Sequence, residues 1–403
     1  MKNALYLQSG GPTAVINSSL YGVIKAYVNN TDKIGHLYGS LYGIEGVLKD
    51  NLVEIEPDLS KYDELKYMSG AILGSARLKL GLPEDDDRYV KIHEIAKKYD
   101  IGYILVNGGN DSIDTANKLN KFFAELKEDI VVMGIPKTID NDLILTDHTP
   151  GFGSAVKFVT KSIMEIGLDI NSYRKGRATI VEIMGRDAGW LAGATALGKL
   201  YNLGPDLIYL PEIPFDRKKF LDDVERVFKE KGHVLICASE ALKDTNGEYV
   251  SVEDKLDSFG HKQLGSVSKY LEILINSILN INTRTIELSL LQRAGAHLAS
   301  KIDRQEAIDV GEKALEYALQ KRVGMVSIIR DSNNPYHSHY DLVPLASVAN
   351  AVKTMPLEYV NKSGNGMTQE FIEYVYPFID GDDIGIHSSD IFLSQDKYAK
   401  VNK

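Results

Sequence analysis

Residues 101–106, IGYILV, are apolar without a break. They run into NGG and then SIDTANKLNKFFAELK, where Ile113, Ala116, Leu119, Phe123 and Leu126 fall near one helical face. A strand exposed on one side alternates apolar and polar residues, whereas an unbroken apolar strand belongs to a sheet covered on both faces. The same pairing recurs along the chain. NALYLQ (3–8) precedes the helical pattern AVINSSLYGVIKAYVN, and DIVVMGI (129–135) follows the helix just described. RATIVEIMG, PDLIYLP, GHVLICAS, RTIELSLL and VGMVSIIR continue the series. This order predicts a doubly wound α/β fold, and 403 residues accommodate two such units.

Composition excludes several roles. No apolar run is long enough to span a bilayer, and the apolar stretch in MKNALYLQSGGP is too short for a secretory leader, so a cytoplasmic protein without membrane contact is expected. The single cysteine, Cys237 in HVLICASE, has no partner for an intrachain disulfide and reads as part of a buried strand. A net charge of −10 argues against nucleic acid as a partner. It leaves room for a small anion held by a few local arginines and lysines. EDDD (84–87) reads as a solvated loop. YHSHYD (336–341), in a less regular C-terminal stretch, reads as surface, since its two histidines lack a third metal ligand.

In a doubly wound sheet ligands gather at the carboxyl ends of the strands, so the loops there carry the chemistry. The first, QSGGPTAVIN (8–17), places Gly10 and Gly11 before a helix. The second, NGGNDS (107–112), offers Gly109, Asn110 and Asp111 at a helix start, where backbone N–H groups attract anions. The third, PKTIDND (136–142), crowds Lys137, Asp140 and Asp142 into six residues. A fourth, IMGRDAGWLAG (183–193), brings Arg186, and Arg77, Arg177, Arg284 and Arg293 stand in glycine-rich or strand-end contexts. Arginine suits phosphate through its bidentate fork. Glycine loops, cations and an aspartate fit phosphoryl transfer, which needs charge neutralisation, in-line positioning and a proton acceptor. An aspartate in an NGGNDS loop is odd, because a carboxylate repels phosphate.

QSGGPTAVIN, LGSAR, NGGNDS, PKTIDND, TDHTPGFGSA, VEIMGRDAGWLA, ASEAL and LLQRAG stand in an order that resembles the phosphofructokinases over roughly residues 3 to 300. The chain looks more like the bacterial pyrophosphate-dependent members than the ATP-dependent ones. The resemblance implies two Rossmann-like domains with the active site between them. Residues 1–150 with about 292–323 would form a phosphoryl-donor domain, and 151–291 with about 324–403 a sugar-phosphate domain with a C-terminal extension. It also implies Mg²⁺ and transfer of a phosphoryl group from pyrophosphate to the 1-hydroxyl of fructose 6-phosphate.

By the same resemblance Asp140 is the base, and Thr138 and Ile139 line the sugar. Met184, Gly185 and Arg186 hold the sugar, Glu240 its hydroxyls and Arg293 its 6-phosphate. Arg77 bridges donor and acceptor phosphates. Arg177 and Arg284 reach the sugar phosphate from a neighbouring subunit, in a homodimer or homotetramer. Asp111 stands where ATP-dependent relatives carry glycine and leave room for an α-phosphate, and Lys137 holds the terminal phosphate of a shorter donor. Two positions depart from the pattern. Asn110 replaces an aspartate that many relatives use for Mg²⁺, leaving Asn110 with Asp142 as the metal pair, and Leu290 replaces a histidine on the sugar phosphate. An ATP-dependent enzyme and a catalytically silent sugar-phosphate sensor are the alternatives.

Overall fold

The computed structural model describes residues 1–173, 176–256, 262–349 and 351–379. The chain divides into two compact units, one of Met1–Ala155, Leu256–His261 and Arg293–Lys353, the other of Val156–Lys255, Lys262–Gln292 and Thr354–Lys403.

The first unit holds a seven-stranded sheet. From one edge to the other its strands are Tyr336–Val343, Gly324–Asn333, Val131–Pro136, Ile101–Gly108, Asn3–Gln8, Leu37–Ser40 and Leu52–Ile55. The five inner strands are parallel and the two edge strands antiparallel. The unbroken apolar strand at 101–108 is explained by cover on both faces. Tyr103 and Leu105 pack with Leu20, Ile24 and Val310 from helices Ile16–Val28 and Lys301–Leu319. Ile104 and Val106 pack with Ile95, Ile113 and Phe123 from helices Arg88–Lys98 and Asn110–Glu125. Ile113, Ala116, Leu119 and Phe123 are fully buried as the periodicity predicts, whereas Leu126 lies past the helix end and is 45% exposed.

Residues 324–353, expected with the sugar-phosphate domain, belong instead to this first unit. The reason is strand pairing. Gly324 and Met325 align in parallel with Met133 and Gly134, and Tyr336–Val343 folds back antiparallel on Gly324–Asn333. The stretch YHSHYD is therefore an edge strand, with His337 and His339 on its exposed side. The expected solvated loop at EDDD is also corrected in part. Asp86 accepts hydrogen bonds from Arg88 Nε at 2.7 Å and from Gly81 N at 2.8 Å. The Arg88 guanidinium holds its carboxyl down to about 2.

The second unit has a four-stranded parallel sheet in the order Thr283–Glu287, Ala178–Ile183, Val234–Ser239, Leu207–Tyr209. Its core gathers Ile180 and Ile236 with Phe220 and Val224 from helix Arg217–Lys231 and Leu271 from helix Val267–Leu274. Cys237 lies inside this sheet, where burial pushes its thiol up to about 12, so it packs as a small hydrophobe. RTIELSLL is strand only to Glu287, after which Leu291–Ala294 turns into a short helix. Residues 380–403 of the expected C-terminal extension lie outside the described residues. No helix among the described residues is long and apolar enough to cross a membrane.

A buried ionic cluster ties the first unit's helix Lys301–Leu319 to the loop after Val131–Pro136. His148 is fully buried, with Nδ1 2.8 Å from Asp147 and Nε2 2.5 Å from Glu306. Glu306 also accepts from Tyr336 Oη at 2.6 Å and Ser338 Oγ at 2.7 Å. Burial alone would lower the imidazolium pKa, but Glu306 and Asp147 outweigh it and raise it to about 9. The folded chain thus holds this proton more tightly than the unfolded chain, whose value is about 6.5. The stabilisation is complete below about pH 6.5 and is lost as pH rises through about 9, an effect on the order of 3 kcal/mol. Thermal unfolding followed from pH 6.5 to 9 should show a falling midpoint. His148→Gln should flatten that slope, and an unchanged slope in the variant would remove His148 as its source.

Candidate active site

Three parallel strands of the first unit end in register, with Gln8 beside Asn107, Asn107 beside Ile135 and Gly108 beside Pro136. The loops that follow are therefore neighbours. Ser9 N donates to Asn107 O at 2.9 Å and Lys137 N to Gly108 O at 3.1 Å, which carries the pairing past the strand ends.

Gly10 and Gly11 are required by what approaches them. Gly10 has φ of +77°, and a Cβ there would lie 3.3 Å from Lys137 Nζ. A Cβ on Gly11 would lie 2.6 Å from an Arg293 guanidinium nitrogen and 3.7 Å from one of Arg77. Three cations thus converge on the glycine pair. Lys137 is 3% exposed, and Nζ donates to Gly11 O at 2.8 Å. Burial pulls its pKa down to about 8; the nearby Arg293 and Arg77 act in the same sense, while Asp140 and Asp142 oppose them. The ammonium is buried beside two other cations, and a multiply charged anion would add to the negative charge that Asp140 and Asp142 supply.

Gly109 caps the helix that opens at Asn110, so Asp111 occupies its first turn. That end of a helix favours an anion. Lys79, 3.8 Å away, gives Asp111 a counter-charge. Asn110 Nδ2 donates to Asp142 Oδ2 at 2.7 Å. Asn110 Oδ1 is buried and has no hydrogen-bond partner. An oxygen left in this way beside a carboxylate suits a hard cation.

The TIDND loop is tightly folded. Asp140 N donates to Thr138 Oγ1 at 3.1 Å, and Thr138 N to Pro150 O at 3.2 Å. Asn141 is fully buried at φ of +53°. Ile139 is 5% exposed, so its side chain packs largely inward.

In the second unit, Met184, Gly185 and Arg186 follow strand Ala178–Ile183, and Glu240 follows its neighbour Val234–Ser239. Gly185 N donates to Glu240 Oε1 at 3.3 Å, Ser239 Oγ to Gly185 O at 2.9 Å and Met184 N to Gln292 Oε1 at 3.1 Å. These bonds join the two loops to each other. Arg177 and Arg284 are not part of this group. Arg177 precedes strand Ala178–Ile183, and Arg284 pairs with Thr179 at its start. Six residues of strand, about 20 Å, separate them from Met184. Arg284 instead bonds Asp169 at 3.1 Å, and both arginines line a small cavity with Asp169, Tyr173 and Thr179. Leu290 is 55% exposed, with its neighbour Leu291 equally so.

Two contributors escaped the sequence reading. Lys79 sits in LGSARLKLG, two residues past an arginine already singled out, and alternation along that extended stretch could have found it. Lys353 lies over 200 residues from the loop that it touches, and no local signal marks it.

Residues 3–318 match the family model described as Phosphofructokinase. A pyrophosphate–fructose 6-phosphate 1-phosphotransferase of Halomonas elongata is 38% identical, aligned over 94% of this chain and 92% of that protein. One of the same description from Methylococcus capsulatus is 36% identical over 95% and 92%. The crystal structure of a pyrophosphate-dependent phosphofructokinase from Marinobacter aquaeolei superposes with a TM-score of 0.84 at 36% identity, covering 94% and 92% of the two chains.

Proposed function

The chain belongs to the phosphofructokinase family, and from that premise we propose that it transfers a phosphoryl group reversibly from pyrophosphate to the 1-hydroxyl of fructose 6-phosphate. The observation that carries the choice of donor is the buried Lys137 ammonium under Gly10–Gly11, with Arg77 and Arg293 beside it. Asp111 meanwhile occupies the helix start that an α-phosphate would need. A donor with two phosphates and no nucleoside matches that charge distribution.

The sugar 1-hydroxyl attacks the terminal phosphorus of pyrophosphate. Its proton passes to the Asp140 carboxylate, the bridging P–O bond breaks and inorganic phosphate departs. Lys137 and Arg77 neutralise charge on the moving group, which is where most catalysis of phosphoryl transfer resides. Asn110 and Asp142 would hold Mg²⁺, which when bound adds positive charge at the phosphates; waters and phosphate oxygens complete such a site. Met184, Gly185, Arg186 and Glu240 bind the sugar, and Thr138 contacts it beside the base. Arg293, assigned to the 6-phosphate, lies against Gly11, so it also adds charge at the donor loop. Arg177 and Arg284, at the wrong end of their own sheet, serve the sugar phosphate of a second copy, which makes the working form at least a homodimer. The proposed reaction is cytoplasmic, which suits two highly charged substrates that do not cross membranes unaided.

A coupled assay of fructose 6-phosphate with Mg²⁺, run in parallel with pyrophosphate and ATP, should show turnover with pyrophosphate only. Turnover with ATP alone would overturn the reading of Asp111 and Lys137, and turnover with neither would favour a silent sensor.

A further inference from the structure

The loop from Thr138 to Pro150 is closed at its base by the Thr138 N to Pro150 O bond and by Thr149 Oγ1 donating to Thr138 O at 2.8 Å. These bonds close the base, and the turn that carries Asp140 and Asp142 is shaped further along the loop. The residue between them, Asn141, takes a left-handed backbone that asparagine tolerates better than most residues. Its side chain is fully buried, so a partner must hold it.

That partner comes from the segment ASVANAVKTMP, to which the sequence assigned no role. Lys353 Nζ donates to Asn141 Oδ1 at 3.0 Å, to Thr146 O at 3.1 Å and to Asp147 O at 2.8 Å. An ammonium has three protons to give, and these three acceptors use them all. Lys353 N donates in addition to Asp142 O at 2.7 Å. One residue thus grips the loop on both sides of its turn. The far side of the grip is firm, because Asp147 is bonded to Arg330 Nε at 2.9 Å and to His148, which is itself held by Glu306.

We propose that Lys353 is a positioning residue for the reaction: by clamping Asn141 and Asp142 to the Thr146–Asp147 stretch it sets the aim of the Asp140 base. The proposal rests on the reading of Asp140 given above. Lys353 grips the loop through Asn141, the Asp142 main chain, Thr146 and Asp147, so its loss should act on turnover and spare binding.

Lys353→Met keeps the aliphatic stem and deletes the three donors. Its kcat should fall about 10²-fold, the scale of a reacting group displaced by an ångström. The KM values for pyrophosphate and fructose 6-phosphate should stay within about threefold, since ground-state contacts remain. Asn141→Gly, which keeps the left-handed turn but removes the acceptor, should lose about tenfold in kcat, and the double variant should be no slower than Lys353→Met, because both delete one link. A folded Lys353→Met with wild-type kcat would overturn the proposal, as would losses that multiply in the double variant. If Lys353→Met does not fold, wild-type kcat in Asn141→Gly overturns it alone. Absence of pyrophosphate turnover in the wild-type chain would instead strike the reading of the reaction, which keeps the two failures apart.

Discussion

Asp140→Ala loses turnover by about 10²–10⁴-fold, the usual contribution of a positioned base. In barrier height that is about 3–5 kcal/mol. The loss should appear in kcat and in kcat/KM alike, because the carboxylate acts on a proton that moves only in the reaction. Lys137, Arg77 and the glycine pair remain in place, although Lys137 loses the counter-charge of Asp140, so calorimetry should still register pyrophosphate binding. The contact with Thr138 survives the substitution, since it is made by the Asp140 main chain. Wild-type turnover in this variant would strip Asp140 of its role.

The second large effect concerns the donor. Asp111→Gly combined with Lys137→Gly should lower pyrophosphate turnover by at least about 10²-fold, the scale seen when one preorganised electrostatic contact is removed. Two effects act together here. Without the ammonium, the terminal phosphate loses a cation already desolvated and fixed on Gly11 O, so no reorganisation is needed when it binds. With glycine at 111, the helix start is vacated by its own anion, and an α-phosphate can use those N–H groups. Turnover with ATP in the double variant would show that the carboxylate excludes the nucleotide. Unchanged kinetics with pyrophosphate would place the donor elsewhere.

The parallel core was legible because its strands are apolar on both faces, and that signal survives without knowledge of the partners. The sequence alone puts residues 101–106 and 129–135 side by side, and with them the glycine, lysine and aspartate loops. The outlying strands, two at the edges and one beside an edge, were not legible in the same way. Leu37–Ser40 and Leu52–Ile55 are four residues each, too short for a period to emerge, and Tyr336–Val343 carries polar residues on its outer side. The position of Arg177 and Arg284 along their strands was not legible for a different reason. A strand's residues reveal that it is a strand without revealing where it begins, so an arginine at the start looks like one at the end. Lys353 and His148 depend on contacts separated by more than 150 residues, and such pairings leave no trace in a single sequence.

The placement of residues 324–343 beside Val131–Pro136 has a consequence for synthesis. As the chain leaves the ribosome, the first 155 residues arrive with four of the inner strands present and the edge of Val131–Pro136 bare. Helix Lys301–Leu319, which covers Val131, Met133 and Ile135, is also still to come. An open apolar edge invites pairing with other nascent chains. This half-built sheet must therefore wait, while the stretch from 156 to 323 is translated, for the strand that shuts it. A chaperone that shields this edge would have its longest task during that interval, and a chain cut before Gly324 would never be released from it.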